Sequence, residues 1–320
     1  MSTEQNTVPS TISSDTAVVH TQYDMDNVPT VPGPGWTRFI CISDTHSRTF
    51  QIPPGDVLLH GGDLTQTGTF KQFESTVNWL KGLPHPKKII IAGNHDLSLD
   101  HHDEWYDTHY QRWHGQEKED VQAIRELLVG REAKASGLVY LQEEVFQFRT
   151  KENGRLWSVY GSPWSPYFAG WGFNYRRNEA QRFVSAIPKS DIMYVISDYS
   201  RHILVWSRSR RYHSLTHGPP FGIFDRVTAG DRVGCEALAD RLVELRPRLH
   251  VFGHIHEDHG AVVHEWPSHE HDISSGAMTV DGEVRTVFVN AANWPMGPKA
   301  CPQASEQSSE WVHTLLSLWI

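Results

Sequence analysis

Lys87-Lys88-Ile89-Ile90-Ile91-Ala92-Gly93-Asn94-His95-Asp96 sets four polar or flexible residues directly behind an apolar run. An apolar run of this length reads as a buried strand. Polar side chains placed at its carboxyl end are wasteful unless they line a site, which is where ligands collect in open α/β sheets. The same arrangement recurs along the chain. Phe39-Ile40-Cys41-Ile42-Ser43 runs into Asp44-Thr45-His46, and Val57-Leu58-Leu59-His60 runs into Gly61-Gly62-Asp63. Further on, Ser214-Leu215-Thr216 delivers His217, and Leu249-His250-Val251-Phe252-Gly253 delivers His254-Ile255-His256. A spacing of two puts Asp44 and His46 on one side if the strand continues, and a turn can also converge them on one ion. Alternation likewise points His254 and His256 the same way.

Helical signals lie between these runs. Phe70, Phe73, Val77 and Leu80 share a face that Gly82 and Pro84 stop. Val121, Ile124 and Leu128 form a second face ending at Gly130, and Leu238, Leu242 and Leu245 a third ending at Pro247. Strand–helix alternation predicts α/β layers. After Val145 the runs Val145–Phe148, Leu156–Tyr160, Ala261–Val263 and Thr286–Asn290 read as more strands with fewer helices, a second sheet packed on the first. Residues 1–34, rich in Ser, Thr, Pro and Asp, are expected to be a disordered leader. The folded domain is expected over 35–293 and a tail over 294–320.

Composition narrows the function. With 29 Lys and Arg against 38 Asp and Glu, the net charge of −9 disfavours strong nucleic-acid binding or an anionic membrane surface. No apolar run approaches the ~18 residues of a membrane span, the Trp311–Ile320 end included. Three cysteines, Cys41, Cys235 and Cys301, form neither a C-x-x-C pair nor a disulfide framework, which fits a reducing, cytoplasmic setting. Twenty histidines in 320 residues are the excess to be explained.

The ordered set D-x-H, G-D, G-N-H-D, T-H, G-H-x-H resembles the calcineurin-like metallophosphoesterase superfamily. Within it the chain is similar to a small branch of metallophosphoesterase-domain proteins of mammals and their fungal relatives. The resemblance runs from Trp36 to Asn293 with one interruption, and extends to Gly161-Ser162-Pro163-Trp164, Phe173-Asn174 and Thr216-His217-Gly218-Pro219-Pro220. It implies a four-layer α/β/β/α sandwich of two packed mixed sheets with helices outside. By resemblance, Asp44, His46, Asp63 and His256 hold one divalent metal. Asp63, Asn94, His217 and His254 hold a second, with Asp63 bridging. Imidazole, carboxylate and amide donors suit Mn²⁺ first, with Fe²⁺ or Zn²⁺ as alternatives. Two such ions can clamp an in-line displacement at phosphorus, with a bridging water as nucleophile. The resemblance gives His95 the protonation of the leaving oxygen. Asp96 either orients His95 or caps a helix.

The implied activity is hydrolysis of a small phosphate ester, a diester by resemblance and nucleotide-like at most. Leu64-Thr65-Gln66-Thr67 supplies neither the phosphate-gripping arginine of protein phosphatases nor the tyrosine ligand of purple acid phosphatases. A catalytically weak scaffold on the same fold is the alternative. A repair nuclease would need a basic groove, which the charge opposes. His101-His102-Asp103-Glu104, His109 and His114, like His259, His264, His269 and His271, read as loop residues near the cleft. Arg176 and Arg177 either meet an anionic substrate or form a solvated pair.

Residues 194–214 interrupt the resemblance. Without them Asp191-Ile192-Met193 would join Leu215-Thr216-His217 with nothing missing. They read either as a surface insertion or as a retained intron, since Met193-Tyr194-Val195 can be encoded with a splice-donor-like sequence and 21 codons keep frame. On both readings they supply no ligand and pack poorly.

Overall fold

The carboxyl ends of β3, β4 and β5 (Arg38–Ile42, Val57–His60, Lys87–Ile90) lie side by side because these strands pair in parallel, Phe39 opposite Val57 and Val57 opposite Lys87. The computed structural model describes residues 11–21, 25–189, 212–267, 284–292 and 316–319. In it, β1 is Thr11–Ser13, β2 Val18–His20, β6 Leu138–Tyr140, β7 Glu144–Arg149, β8 Leu156–Ser162, β9 Ser165–Pro166 and β10 Asn174–Tyr175. They are followed by β11 (Tyr212–Thr216), β12 (Leu249–Phe252), β13 (Gly260–Trp266), β14 (Val284–Asn290) and β15 (Leu316–Trp319). The helices are α1 (Phe70–Gly82), α2 (Trp105–His109), α3 (Gln111–His114), α4 (Val121–Val129), α5 (Arg131–Ala135), α6 (Ala180–Val184) and α7 (Glu236–Leu245).

One sheet has the order β1-β2-β15-β3-β4-β5-β6 and the other β13-β14-β12-β11-β8-β7. Their centres are parallel, and antiparallel strands stand at one or both edges. Alternation within each strand sorts side chains to two faces. Phe39, Cys41, Val57, Leu59, Ile89 and Ile91 join Trp157, Val159, Leu215, Val251 and Val289 in one buried cluster between the sheets. The intervening Ile40, Ile42, Leu58 and Ile90 pack with Phe73, Val77 and Leu80 of α1 and Ile124 and Leu128 of α4. Phe252 and Phe288 of the second sheet pack with Leu238 and Leu242 of α7 in the same way. The layering is therefore α/β/β/α. Each fully buried Leu, Ile or Phe contributes ~1.5–3 kcal/mol. Helix α1 starts at Thr69, whose hydroxyl accepts from Gln72 N–H while the Gln72 side chain bonds back to Thr69, a capping box worth about 1 kcal/mol.

The two sheets meet at their carboxyl ends. A parallel bridge joins Ser43, just past β3, to Ala292, just past β14. Gly253 N–H donates to the His217 carbonyl at 3.0 Å, and Asp44 N–H to the Gly62 carbonyl at 2.9 Å. Backbone bonds thus tie the loop after β11 to that after β12, and the loop after β3 to that after β4.

Three expectations are corrected. The leader is not disordered throughout: β1 and β2 pair with each other, and β2 pairs with β15. The tail is not outside the domain either, because β15 inserts between β2 and β3. Strands of three or four residues are too short to show periodicity, and their ladder bonds come from the opposite end of the chain. The interruption over 194–214 is also shorter than expected. Tyr212–Thr216 pairs in parallel with both β8 and β12, and His213 and Ser214 are buried. Backbone pairing extended the strand through residues whose side chains gave no strand signal. Residues 194–211, the 294–315 part of the tail, His269 and His271 lie outside the described residues.

Candidate metal centre

β3 and β12 stop at Ile42 and Phe252, short of Asp44 and His254. Asp44 (φ 55°), His46 (φ 47°), Asp63 (φ 52°) and His254 (φ 69°) then adopt left-handed backbone. Such residues cost ~1–3 kcal/mol each and cluster where surrounding structure imposes them for function. For Asp44/His46 the turn, one of the two readings open to the sequence, is the one found, and the alternation expected for His254/His256 is corrected: turns converge these side chains, not the pleat. The motif glycines give the room. A Cβ on Gly253 would overlap Asp44 Oδ2, and one on Gly93 would overlap Asp63 Oδ1.

The structure brings most of the expected residues to one point. His256 Nε2 lies 3.1 Å from Asp44 Oδ1. His217 Nε2 lies 3.4 Å from Asp63 Oδ1 and 2.8 Å from Asn94 Oδ1, and His46 Nε2 lies 3.8 Å from Asp63 Oδ2. Ligand atoms of Asp44, His46 and His256 fall within 4.8 Å of one another, as do those of Asp44, Asp63 and His217 and those of His46, Asp63 and His95. His254 belongs to none of these groups. Its N–H donates to both Asp44 oxygens at 3.1 and 3.0 Å, and its ring stands edge-on to His217 at 5.0 Å.

The tautomers follow from the partners. A backbone carbonyl can only accept, so the ring nitrogen facing it donates. Nδ1 of His46 faces the Thr65 carbonyl at 3.3 Å, Nδ1 of His217 faces Gly61 O at 3.0 Å, and Nδ1 of His95 faces Gln66 O at 2.7 Å. Burial keeps the His46 ring neutral, so its Nε2 is then a lone pair, and it faces the Asp63 carboxylate. Lone pair against buried carboxylate is repulsive unless a cation stands between them. The donor set therefore fits divalent transition metals, and carbonyls fixing the far nitrogen are the usual support of metal-ligating histidines.

Charges agree. Burial would raise the Asp44 carboxyl, but the hydrogen bond and charge of His256, then His217, hold it well below the usual carboxylate range. Asp63 is lowered too: burial acts to raise it, and the charges of His217, then His95, outweigh that. Burial pushes the His46 ring down to about 4, against the pull of Asp63 and Asp44, so it stays neutral.

Asp96 does not orient the His95 ring directly, nor does it cap the turn at Leu97–Leu99 with its side chain. Its carboxylate accepts from Leu64 N–H (3.0 Å), Thr65 N–H (2.9 Å), Thr65 Oγ1 (2.7 Å) and Gly93 N–H (2.9 Å), locking the Asp63 loop to the Asn94 loop. Burial, then the charge of Asp63, raises its carboxyl to about 7. His60 has the same kind of role and was not singled out by its sequence. Gly62 N–H donates to its Nδ1 at 3.3 Å, and its Nε2 lies 3.0 Å from Thr45 Oγ1, joining the Asp63 and Asp44 loops beneath the site. Its only sequence signal was an imidazole at the end of an apolar strand.

Other candidates are bystanders. The 101–114 region is helical turns rather than loop, with His114 bonded to Tyr106 Oη (2.7 Å) and the Thr67 carbonyl (2.6 Å). His264 stands on β13. The Arg177 guanidinium is committed to the Gly234 and Val233 carbonyls, both at 2.7 Å.

Two packed sheets that deliver carboxylate, imidazole and amide groups from parallel strand ends to one point define an α/β/β/α protein with a candidate metal site. The chain belongs to the calcineurin-like phosphoesterase family, whose model matches residues 37–258. Metallophosphoesterase domain-containing protein 1 of Homo sapiens is 36% identical over 244 residues, covering 72% of this chain and 63% of that protein. A UPF0046 protein of Caenorhabditis elegans is 31% identical over 242 residues, covering 71% of this chain and 53% of its own. The match thus spans less than two thirds of either relative's length. A phosphopantetheinyl hydrolase of Mycobacterium tuberculosis superposes with a TM-score of 0.43 at 14% identity, over 88% of this chain and 95% of that one. Among the described residues no helix is long and apolar enough to cross a membrane.

Proposed function

We propose that the chain is a dinuclear metal-dependent phosphoesterase with a preference for diesters. The observation that carries this is the convergence of Asp44, His46, Asp63, His217 and His256 donor atoms, with His46 and His217 Nε2 3.8 and 3.4 Å from the Asp63 carboxylate. Asp44, His46, Asp63 and His256 would hold one ion, and Asp63, Asn94, His217 and His254 the other, Mn²⁺ being the first candidate and Fe²⁺ or Zn²⁺ the alternatives. When bound, such ions lower the pKa of water and neutralise phosphate charge. The remaining work falls to His95. With Nδ1 bound to the Gln66 carbonyl, Nε2 is the atom that can pass a proton to the leaving oxygen. A small, nucleotide-like ester and a cytoplasmic setting complete the reading, the latter supported by Cys41 and Cys235 being buried free thiols. The scaffold alternative is disfavoured because the sequence keeps every donor that the resemblance names, together with His95. The test is hydrolysis of bis-p-nitrophenyl phosphate and p-nitrophenyl phosphate by Mn²⁺-loaded protein. Faster diester turnover supports the reading, faster monoester turnover overturns the preference, and no metal-dependent turnover of either returns the scaffold.

A further inference from the structure

The loop between β9 and β10 docks on His95 twice. Gly172 N–H donates to the Asn94 carbonyl at 3.1 Å, which is the carbonyl of His95's own peptide bond. The N–H of that same peptide donates to Asp63 Oδ1 at 2.8 Å. A Cβ at Gly172 would stand 3.3 Å from the Asn94 carbonyl, so the loop approaches closely there. One residue earlier, the Trp171 indole lies on the His95 imidazole with centroids 3.8 Å apart and planes 26° from parallel. Behind it the Trp113 ring is 4.0 Å away, and the Arg112 guanidinium lies 4.8 Å over Trp113 while Arg112 Nη2 donates to the Ala169 carbonyl at 3.2 Å. The His46 ring stands roughly perpendicular to the His95 ring, with centroids 4.6 Å apart.

An imidazole held only through Nδ1 can still swing about the axis of that hydrogen bond, which would sweep Nε2 away from a leaving oxygen. Face contact with an indole removes that freedom. We propose that Trp171, backed by Trp113 and Arg112, is a positioning residue that fixes the plane of His95 and so aims Nε2 at the leaving group. This rests on the reading of His95 as the leaving-group acid. It also accounts for the path of the β9–β10 loop, which reaches across to the Asn94 loop and closes on the His95 ring.

The test uses the Mn²⁺-loaded full chain with diphenyl phosphate, whose leaving group needs protonation, and bis-p-nitrophenyl phosphate, whose leaving group needs it less. Trp171→Ala is expected to lower kcat on diphenyl phosphate about tenfold to a hundredfold, the scale of a misplaced catalytic group. The loss on bis-p-nitrophenyl phosphate should be smaller, KM should stay within about twofold and bound manganese should not change. Trp171→Phe should restore most of the rate. In a His95→Ala background, Trp171→Ala should cost nothing further. In the metal-free protein, the His95 ring protons should resonate upfield in the wild type and Trp171→Phe, and lose that shift in Trp171→Ala. A rise in KM with kcat and ring shifts intact would make Trp171 a substrate-stacking surface and overturn the inference. Full additivity with His95→Ala would also overturn it. If His95→Ala itself leaves kcat intact, the role of His95 fails first and is seen to fail separately.

Discussion

His256 Nε2 and Asp44 Oδ1 lie 3.1 Å apart although 212 positions of chain separate them. Neither side chain stands on regular strand: β3 ends before Asp44, and His256 opens the short turn His256–Asp258 after β12. Their contact depends on the two sheets meeting at the carboxyl ends of their strands and on Gly253 letting the loops close. The Asp44 oxygens also accept from His254 N–H, so one carboxylate sets both ends of the Gly253–His256 loop.

Gly253→Ala should therefore uncouple that loop from Asp44. The added Cβ would overlap Asp44 Oδ2 and the Ser43 side chain, both in buried, immobile surroundings. Metal analysis should find fewer bound ions, with activity down more than about a hundredfold. A variant that keeps its full metal content would show that the loop can yield.

Asp63→Ala should abolish turnover more completely than loss of any single histidine donor. Asp63 faces His46 through one oxygen and His217 through the other, and it also takes the His95 N–H. Metal counts and rates for Asp63→Ala, His46→Ala and His217→Ala decide it. Near-normal rate and metal content in the first would refute the bridging assignment.

His60→Leu should weaken metal binding about 10- to 100-fold without touching a ligand, the scale of supporting-shell losses. His60→Gln, whose amide can both accept from Gly62 N–H and donate to Thr45 Oγ1, should recover part of it. Titration of Mn²⁺ by calorimetry compares the three proteins, and equal weakening in Leu and Gln variants would reduce His60 to a space-filler.

Acid should destabilise the fold through His213 and His250. Burial, with Arg248 and Arg155 adding to it for His213, pushes both rings from 6.5 down to about 3. Above pH 6.5 both rings are neutral folded and unfolded, and their contribution is flat. Between pH 6.5 and 3 the unfolded chain binds protons that the folded chain refuses, so stability falls by up to ~1.4 kcal/mol per pH unit per ring. Among the described residues His213 has no hydrogen-bond partner on either nitrogen, and it packs on Trp157 and Phe39. His213→Phe should raise Tm and flatten its fall over that range; an unchanged slope would locate the acid sensitivity elsewhere.

Deletion of 194–214 should leave β11 in place. The joined chain sets Ile192 at the register of His213 and Met193 at that of Ser214, opposite Val159 and Tyr160 of β8. An apolar side chain then replaces a buried imidazole without a partner, a change that removes the cost of an unsatisfied polar group. Against it stands the loss of the Ser214 Oγ contact to His250 Nδ1 at 2.7 Å. We expect higher soluble yield with activity kept; insoluble protein would show that Tyr212–Ser214 cannot be replaced.

Local patterning carried the order of the polar clusters, and the family resemblance carried their reading as a metal site. Asp44, His46, Asp63, Asn94, His217 and His256 were legible as polar groups behind short apolar runs, and two sheets and three helix faces were legible from local apolar patterning. Other features needed the folded chain. The convergence of Asp44 with His256 comes from left-handed turns, a conformation imposed by surroundings rather than by residue type. The bonds of His60 to Thr45 and Gly62, of Asp96 to Leu64 and Thr65, and the stacking of Trp171 on His95 join loops from different strands, and no local pattern encodes such partners. The insertion of β15 between β2 and β3 depends on backbone pairing between chain ends, for which side-chain periodicity carries no signal.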